Sequence, residues 1–120
     1  MPILDVEIVG DYDPDHGVAL KIADRAAVVL KADIGQVWVK LRHVPRERYA
    51  ENGRGDPCPD QPVFITVTKG VLQDVEELRV EAEQLTRAVA EAVGRPAENV
   101  HVIYEPSATR RIAFGGKLVE

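Results

Sequence analysis

From Ile3 to Val9 the chain alternates, with Leu4, Val6 and Ile8 standing against Asp5 and Glu7, the period of a half-buried strand, and Gly10 ends the run. Asp13-Pro14-Asp15 then offers an acidic N-cap with proline at the first helical position. Val18, Ala19, Ile22, Ala23, Ala26, Val29 and Leu30 follow at helical spacing. Gln36 to Val44 alternates again, with Val37, Val39 and Leu41 on one face and Trp38, Lys40 and Arg42 on the other. Pro45 to Asp60 mixes Pro, Gly, Asn and charge without a period and reads as a surface excursion. Val63 to Thr68 is a strand broken by Gly70, and Asp74 with Glu77 makes a capping box. Val75, Leu78, Ala82, Leu85, Val89 and Val93 trace the clearest amphipathic helix of the chain, stopped by Gly94. Val100 to Glu105 is the last long strand, and the tail from Pro106 carries Phe114-Gly115-Gly116, suited to a short hairpin.

The order is β-α-β, linker, β-α-β. One domain over 1–120 is expected, with pseudo-repeats 2–44 and 62–105, a linker 45–61 and a hairpin tail 106–120. The fold class is α/β (α+β): tandem β-α-β units with right-handed crossovers, forming a four-stranded sheet with both helices on one face. The other face carries Trp38, Lys40, His101 and Ile103, too mixed for a core, and is expected to meet other subunits.

Composition narrows the chemistry. A formal charge of −5 and a pI near 5.2 disfavour a nucleic-acid partner, which needs clustered Lys and Arg. No apolar run is long enough to span a bilayer and the start has no signal-like segment, so no membrane partner and a cytoplasmic location are expected. Cys58 is the single cysteine, set in what reads as an exposed loop, which suits a reducing compartment. His16, His43 and His101 share no ligand spacing. Asp11, Asp13 and Asp15 depart from a calcium loop and read as helix-capping charge. Gly115-Gly116 is a turn, not a phosphate loop. No metal and no cofactor are expected.

Pro2 is different. Once Met1 is trimmed, its nitrogen is a free secondary amine. An α-amino group titrates near about 7.7 to 8.0 in the open, and apolar burial lowers that by penalising the cation. Such an amine is unprotonated at neutral pH and able to act as a general base.

A strand starting at that proline, the β-α-β duplication, and the segments Arg95-Pro96-Ala97-Glu98-Asn99-Val100-His101-Val102-Ile103-Tyr104-Glu105 and Ala113-Phe114-Gly115-Gly116-Lys117-Leu118 together resemble the 4-oxalocrotonate tautomerase family. The likeness is to its fused two-unit branch, which includes malonate semialdehyde decarboxylase, cis-3-chloroacrylic acid dehalogenase and macrophage migration inhibitory factor. The resemblance implies a homotrimer with pockets at subunit boundaries. It also implies a small carboxylate or enol substrate, and Pro2 as the catalytic group that moves a proton on it.

The sequence departs from that pattern where arginines should grip the substrate carboxylate. The positions after the strand-ending glycines hold Tyr12 and Val71, and those on the second strand of each unit hold Trp38 and His101. The dehalogenase glutamate falls at Phe114, which argues against that chemistry. Lys40, Arg42, Lys69, Arg110 and Arg111 are the cations available as substitutes, with Lys40 and Arg110 preferred. The expected substrate-binding set is therefore Trp38, Lys40, His101, Arg110 and Phe114, beside the catalytic Pro2. Three readings follow. The first is a tautomerase acting on a small enol or α-keto acid; the second is a decarboxylase or hydratase using the same proline; the third is a catalytically silent trimeric binding protein.

Overall fold

A computed structural model describes residues 1–120. Strands β1 (Ile3–Gly10), β2 (Trp38–Pro45), β3 (Val63–Thr68) and β4 (Val100–Tyr104) form one sheet in the order β2-β1-β3-β4. Helices α1 (Val18–Leu30) and α2 (Val75–Val93) link its two parallel pairs, and β5 (Ala113–Phe114) with β6 (Lys117–Leu118) makes the terminal hairpin. The two units meet at the antiparallel β1/β3 pair, where Ile3 faces Thr68 and Ile8 faces Val63.

Alternation decides where the helices lie. Leu4, Val6 and Ile8 of β1 and Val63, Ile65 and Val67 of β3 share one face and are buried, so both helices are drawn to that side. Ile22 and Ala26 of α1 and Leu85 and Val89 of α2 complete this core. The opposite face stays open and carries Trp38, Lys40, His101 and Ile103, all exposed, as the alternation predicts. Neither helix is long and apolar enough to cross a membrane.

The start of α1 differs from the sequence reading. The helix begins at Val18 behind Gly17 in a left-handed conformation, not at Pro14, and Asp13 and Asp15 make no cap. Tertiary contacts take precedence over local capping: Asp13 lies 2.8 Å from His43 Nδ1, and Asp11 pairs with Arg46 Nη1 at 3.2 Å. By contrast α2 has its expected N-cap, the Asp74 carboxylate accepting the Glu77 N–H at 2.9 Å, though the reciprocal bond of a capping box from the Asp74 N–H to the Glu77 carboxylate is not made, and left-handed Gly94 closes the other end.

Arg95, just past α2, pins three segments together. Its Nη1 donates to the carbonyls of Val9 and Gln61, each at 2.7 Å, and burial holds its pKa below the usual guanidinium value. Gly10 makes room for it, because a Cβ there would sit 2.9 Å from Arg95 Nη2. The linker after β2 opens with a single 3-10 turn, Arg46–Arg48. Cys58 corrects the expectation of an exposed thiol, since it is 1% exposed.

Candidate active site

Pro2 is half-buried at the head of β1, and its carbonyl accepts the Trp38 N–H at 3.0 Å, which fixes it against β2. On its other side runs β3. The ladder pairs Ile3 with Thr68, so one step further Pro2 and Lys69 stand opposite each other, roughly 5 Å apart at Cα. By alternation both project toward the helix layer.

The tail crosses this end of the sheet. The Ala108 N–H binds the Lys69 carbonyl at 2.9 Å, and the Thr109 N–H binds the Gly70 carbonyl at 3.1 Å, anchoring the tail to the end of β3. The hairpin then reaches the far edge strand, where Phe114 meets Trp38 edge to face with ring centroids 5.3 Å apart. Trp38 is held by its Nε1–H, which donates to the Gly35 carbonyl at 3.0 Å. Since β1 lies between β3 and β2, the tail passes over the strand head that carries Pro2. Of the six residues proposed from sequence, Trp38 and Phe114 meet on the open face at this end of the sheet, and Pro2 joins them only through its backbone carbonyl, its ring facing the helix layer.

The others are elsewhere or engaged. Lys40 shares the open face with Trp38, but its Nζ lies 3.1 Å from Asp5 Oδ1. That contact is a close ion pair and not an aligned hydrogen bond, for Asp5 Oδ1 is buried with no hydrogen-bond partner. His101 packs against Phe64, with centroids 5.5 Å apart, on the edge strand opposite Trp38 and level with Arg42, so that three strand spacings across and four residues along put it roughly 20 Å from Trp38. Arg110 is exposed at the hairpin entrance with φ 67, its N–H bonded to the Val119 carbonyl. Its neighbour Arg111 lines a cavity of about 230 Å³ between the tail and the open face, beside Asp5, Thr66 and Thr68, while Arg110 does not. Tyr12 and Val71, at the two positions where the resemblance expects arginine, are both exposed.

The sequence reading missed a charged network next to Pro2. Lys69 Nζ donates to Glu81 Oε1 at 2.8 Å and to Gln73 Oε1 at 2.9 Å. Gln73 Nε2 donates to Glu81 Oε1 at 2.8 Å, and the Tyr104 hydroxyl donates to Glu81 Oε2 at 2.7 Å. Burial alone would push the Glu81 carboxyl up. The bonds from Lys69, Tyr104 and Gln73 outweigh it and hold the group below the usual carboxylate value. The Tyr104 phenol is pushed up by its own burial and by the bond to Glu81. Lys69 and Glu81 also line a cavity of about 560 Å³ between the C-terminal end of α1 and the first turns of α2. A signal existed in the sequence, because Glu81 interrupts the apolar stripe of α2 and Lys69 continues the inward alternation of β3.

The chain has the fold of the tautomerase superfamily. No protein-family profile and no curated protein matches it. Among solved structures it is similar to a fused 4-OT in a symmetric trimer, with 15% identity and a TM-score of 0.76 over 98% of this chain and 94% of that one. It is also similar to a malonate semialdehyde decarboxylase inhibited by 3-bromopropiolate, with 17% identity and a TM-score of 0.71 over 94% and 88% of the two chains. A third is macrophage migration inhibitory factor from Oncomelania hupensis, with 16% identity and a TM-score of 0.75 over 100% and 83%.

Proposed function

We propose that the protein is a tautomerase that moves a proton on a small enol or α-keto acid, with the Pro2 amine as general base after Met1 is removed. The observation that carries this reading is the enclosure of the β1 head: Pro2 is tied to β2 through Trp38, faces Lys69 on β3, and has the tail passing over it. A half-buried secondary amine at the head of an apolar strand, opposite Lys69, is disfavoured as a cation. Neutral at physiological pH, it can take a proton from a carbon or enol oxygen and return it to another carbon of the same substrate. Trp38, Phe114 and Arg111 flank the β1 head on the open-face side and Lys69, with a spare N–H, on the helix side, so a substrate carboxylate can meet Arg111 or Lys69 according to the side from which it approaches the amine. A homotrimer is the expected assembly, since fused 4-OT structures similar to this chain are trimers. It would cover the open sheet face and close the pocket from a neighbouring subunit.

A second reading, a silent trimeric scaffold, is favoured by the engagement of the nearby cations: Lys40 is paired with Asp5 and Lys69 with Glu81. The similarity to a malonate semialdehyde decarboxylase keeps decarboxylation of a small keto acid as the alternative chemistry.

The test starts with intact mass, which shows whether Met1 is gone. Ketonisation of phenylpyruvate enol or 2-hydroxymuconate is then measured as a function of pH. The tautomerase reading expects turnover that rises with pH through the titration of the amine and is lost in Pro2→Ala. A retained methionine, or equal rates with and without the Pro2 side chain, sinks it. Inertness there with turnover of malonate semialdehyde selects the decarboxylase.

A further inference from the structure

At the end of the sheet opposite Pro2, the linker folds back on itself and brings Glu51, Cys58 and Asp60 together, with one ligand atom of each within 4.8 Å of the others. We propose that these three side chains form a site for a thiophilic divalent cation, Zn²⁺ being the natural occupant. Cys58 is 1% exposed. The hydrogen bonds at Cys58 run through its carbonyl, which takes Arg46 Nε and Nη2 at 3.3 and 3.0 Å, and leave the thiol without a partner. A buried, unpartnered sulfur turned toward two carboxylates is an arrangement that like charge opposes and a shared cation stabilises.

The surroundings suit a metal. Glu51 Oε2 accepts the Tyr49 hydroxyl, which orients the carboxylate as an outer partner orients a ligand. Arg46 fixes the Cys58 backbone and ties it to Asp11 without touching the three ligand atoms. The cation at the cluster itself is Arg54, 4.0 Å from Glu51 Oε1, 3.2 Å from Asp60 Oδ2 and donating to Asp60 Oδ1 at 3.3 Å; its side chain is 53% exposed, so a metal ion competes with it at the surface of the cluster.

One thiolate and two carboxylates carry three negative charges, which Zn²⁺ reduces to one, leaving a fourth position for water. Ligands at about 2.0–2.3 Å from zinc are closer together than the present separations, so binding draws the loop in by roughly an ångström. The thiol gives up its proton to solvent as the metal binds. A thiolate excludes Mg²⁺ and Ca²⁺ as preferred occupants. The site cross-links two stretches of the linker to each other and is separate from the proposed Pro2 chemistry, about 25 Å away along the strand.

The full chain, cleared with chelator, is titrated with Zn²⁺ and then Cd²⁺. One equivalent should bind, Cd²⁺ should give a thiolate charge-transfer band in the ultraviolet, and Cys58 should lose reactivity toward a thiol reagent. Thermal stability should rise with the metal. Cys58→Ala should abolish the band and binding, and Asp60→Asn or Glu51→Gln should weaken binding at least about tenfold. Arg54→Ala should tighten it, because the competing guanidinium is gone; this variant leaves all three ligands intact and reads the site even if a ligand variant fails to fold. Absence of stoichiometric binding overturns the proposal. So does binding that survives Cys58→Ala, binding indifferent to both carboxylate variants, or binding weakened in Arg54→Ala.

Discussion

Glu81 is the ionised group that the fold removes most fully from water, at 9% exposure, and Lys69, Gln73 and Tyr104 satisfy it. Removing one partner of such a pair leaves an uncompensated buried charge, so Lys69→Met should cost about 3–5 kcal/mol in denaturant unfolding. Glu81→Gln keeps one acceptor oxygen but puts an NH2 donor in place of the other, and should cost less, about 1.5–3 kcal/mol. The pH dependence follows from the lowered carboxyl pKa. The stability Glu81 contributes is fully present above the ordinary carboxylate range and is lost as pH falls through its lowered folded-state value. Acid unfolding curves of Glu81→Gln should therefore converge on wild type at low pH; a constant gap between them would show that the charge is not what matters. Gly10→Ala belongs to the same scale. The new Cβ would sit 2.9 Å from Arg95 Nη2, so the guanidinium must shift off the Val9 and Gln61 carbonyls and the variant should lose about 1–3 kcal/mol. Arg95→Ala in that background should then add less than it does alone.

Among the elements, α2 and the β1/β3 pair were the most legible. The apolar stripe of α2, its Asp74 cap and its Gly94 stop are local signals, and the structure agrees with all three. Asp74→Ala should cost about 1 kcal/mol in unfolding, with no effect on a thermal transition pointing to a cap that is frayed in solution. The start of α1 was misread for an equally physical reason. Asp13 and Pro14 are good helix-start residues, but the carboxylate of Asp13 is claimed by His43 on β2, a partner thirty residues away that no local rule exposes. The hairpin β5/β6 was foreseen from its glycine pair, yet its docking on Trp38 was not. A double-mutant cycle on Trp38 and Phe114 should give a coupling of about 0.5–1.5 kcal/mol, and a value near zero would mean that the tail is not held over the β1 head.

For the molecule as a whole, the sheet is covered on one face and open on the other. The open face mixes exposed Trp38 and Ile103 with half-buried Ile3 and Phe64, set among the charges of Lys40, Arg42, Asp5 and Glu7. Under the proposed trimer this surface is an interface, so Ile103→Asp should shift sedimentation toward the monomer while leaving the far-ultraviolet circular dichroism of the fold unchanged. A variant still trimeric would move the interface elsewhere. The sequence by itself determined which residues face in and which face out, because a strand's period of two and a helix's of 3.6 are properties of the local backbone and leave their mark in the order of residues. Only the tertiary structure decided that Lys69 meets Glu81 and Tyr104 beside Pro2, that Arg111 and not Arg110 lines the open-face cavity, and that Cys58 is buried against Glu51 and Asp60. Those meetings depend on strand register, on which layer covers which face and on the path of a long linker, none of which has a period along the chain.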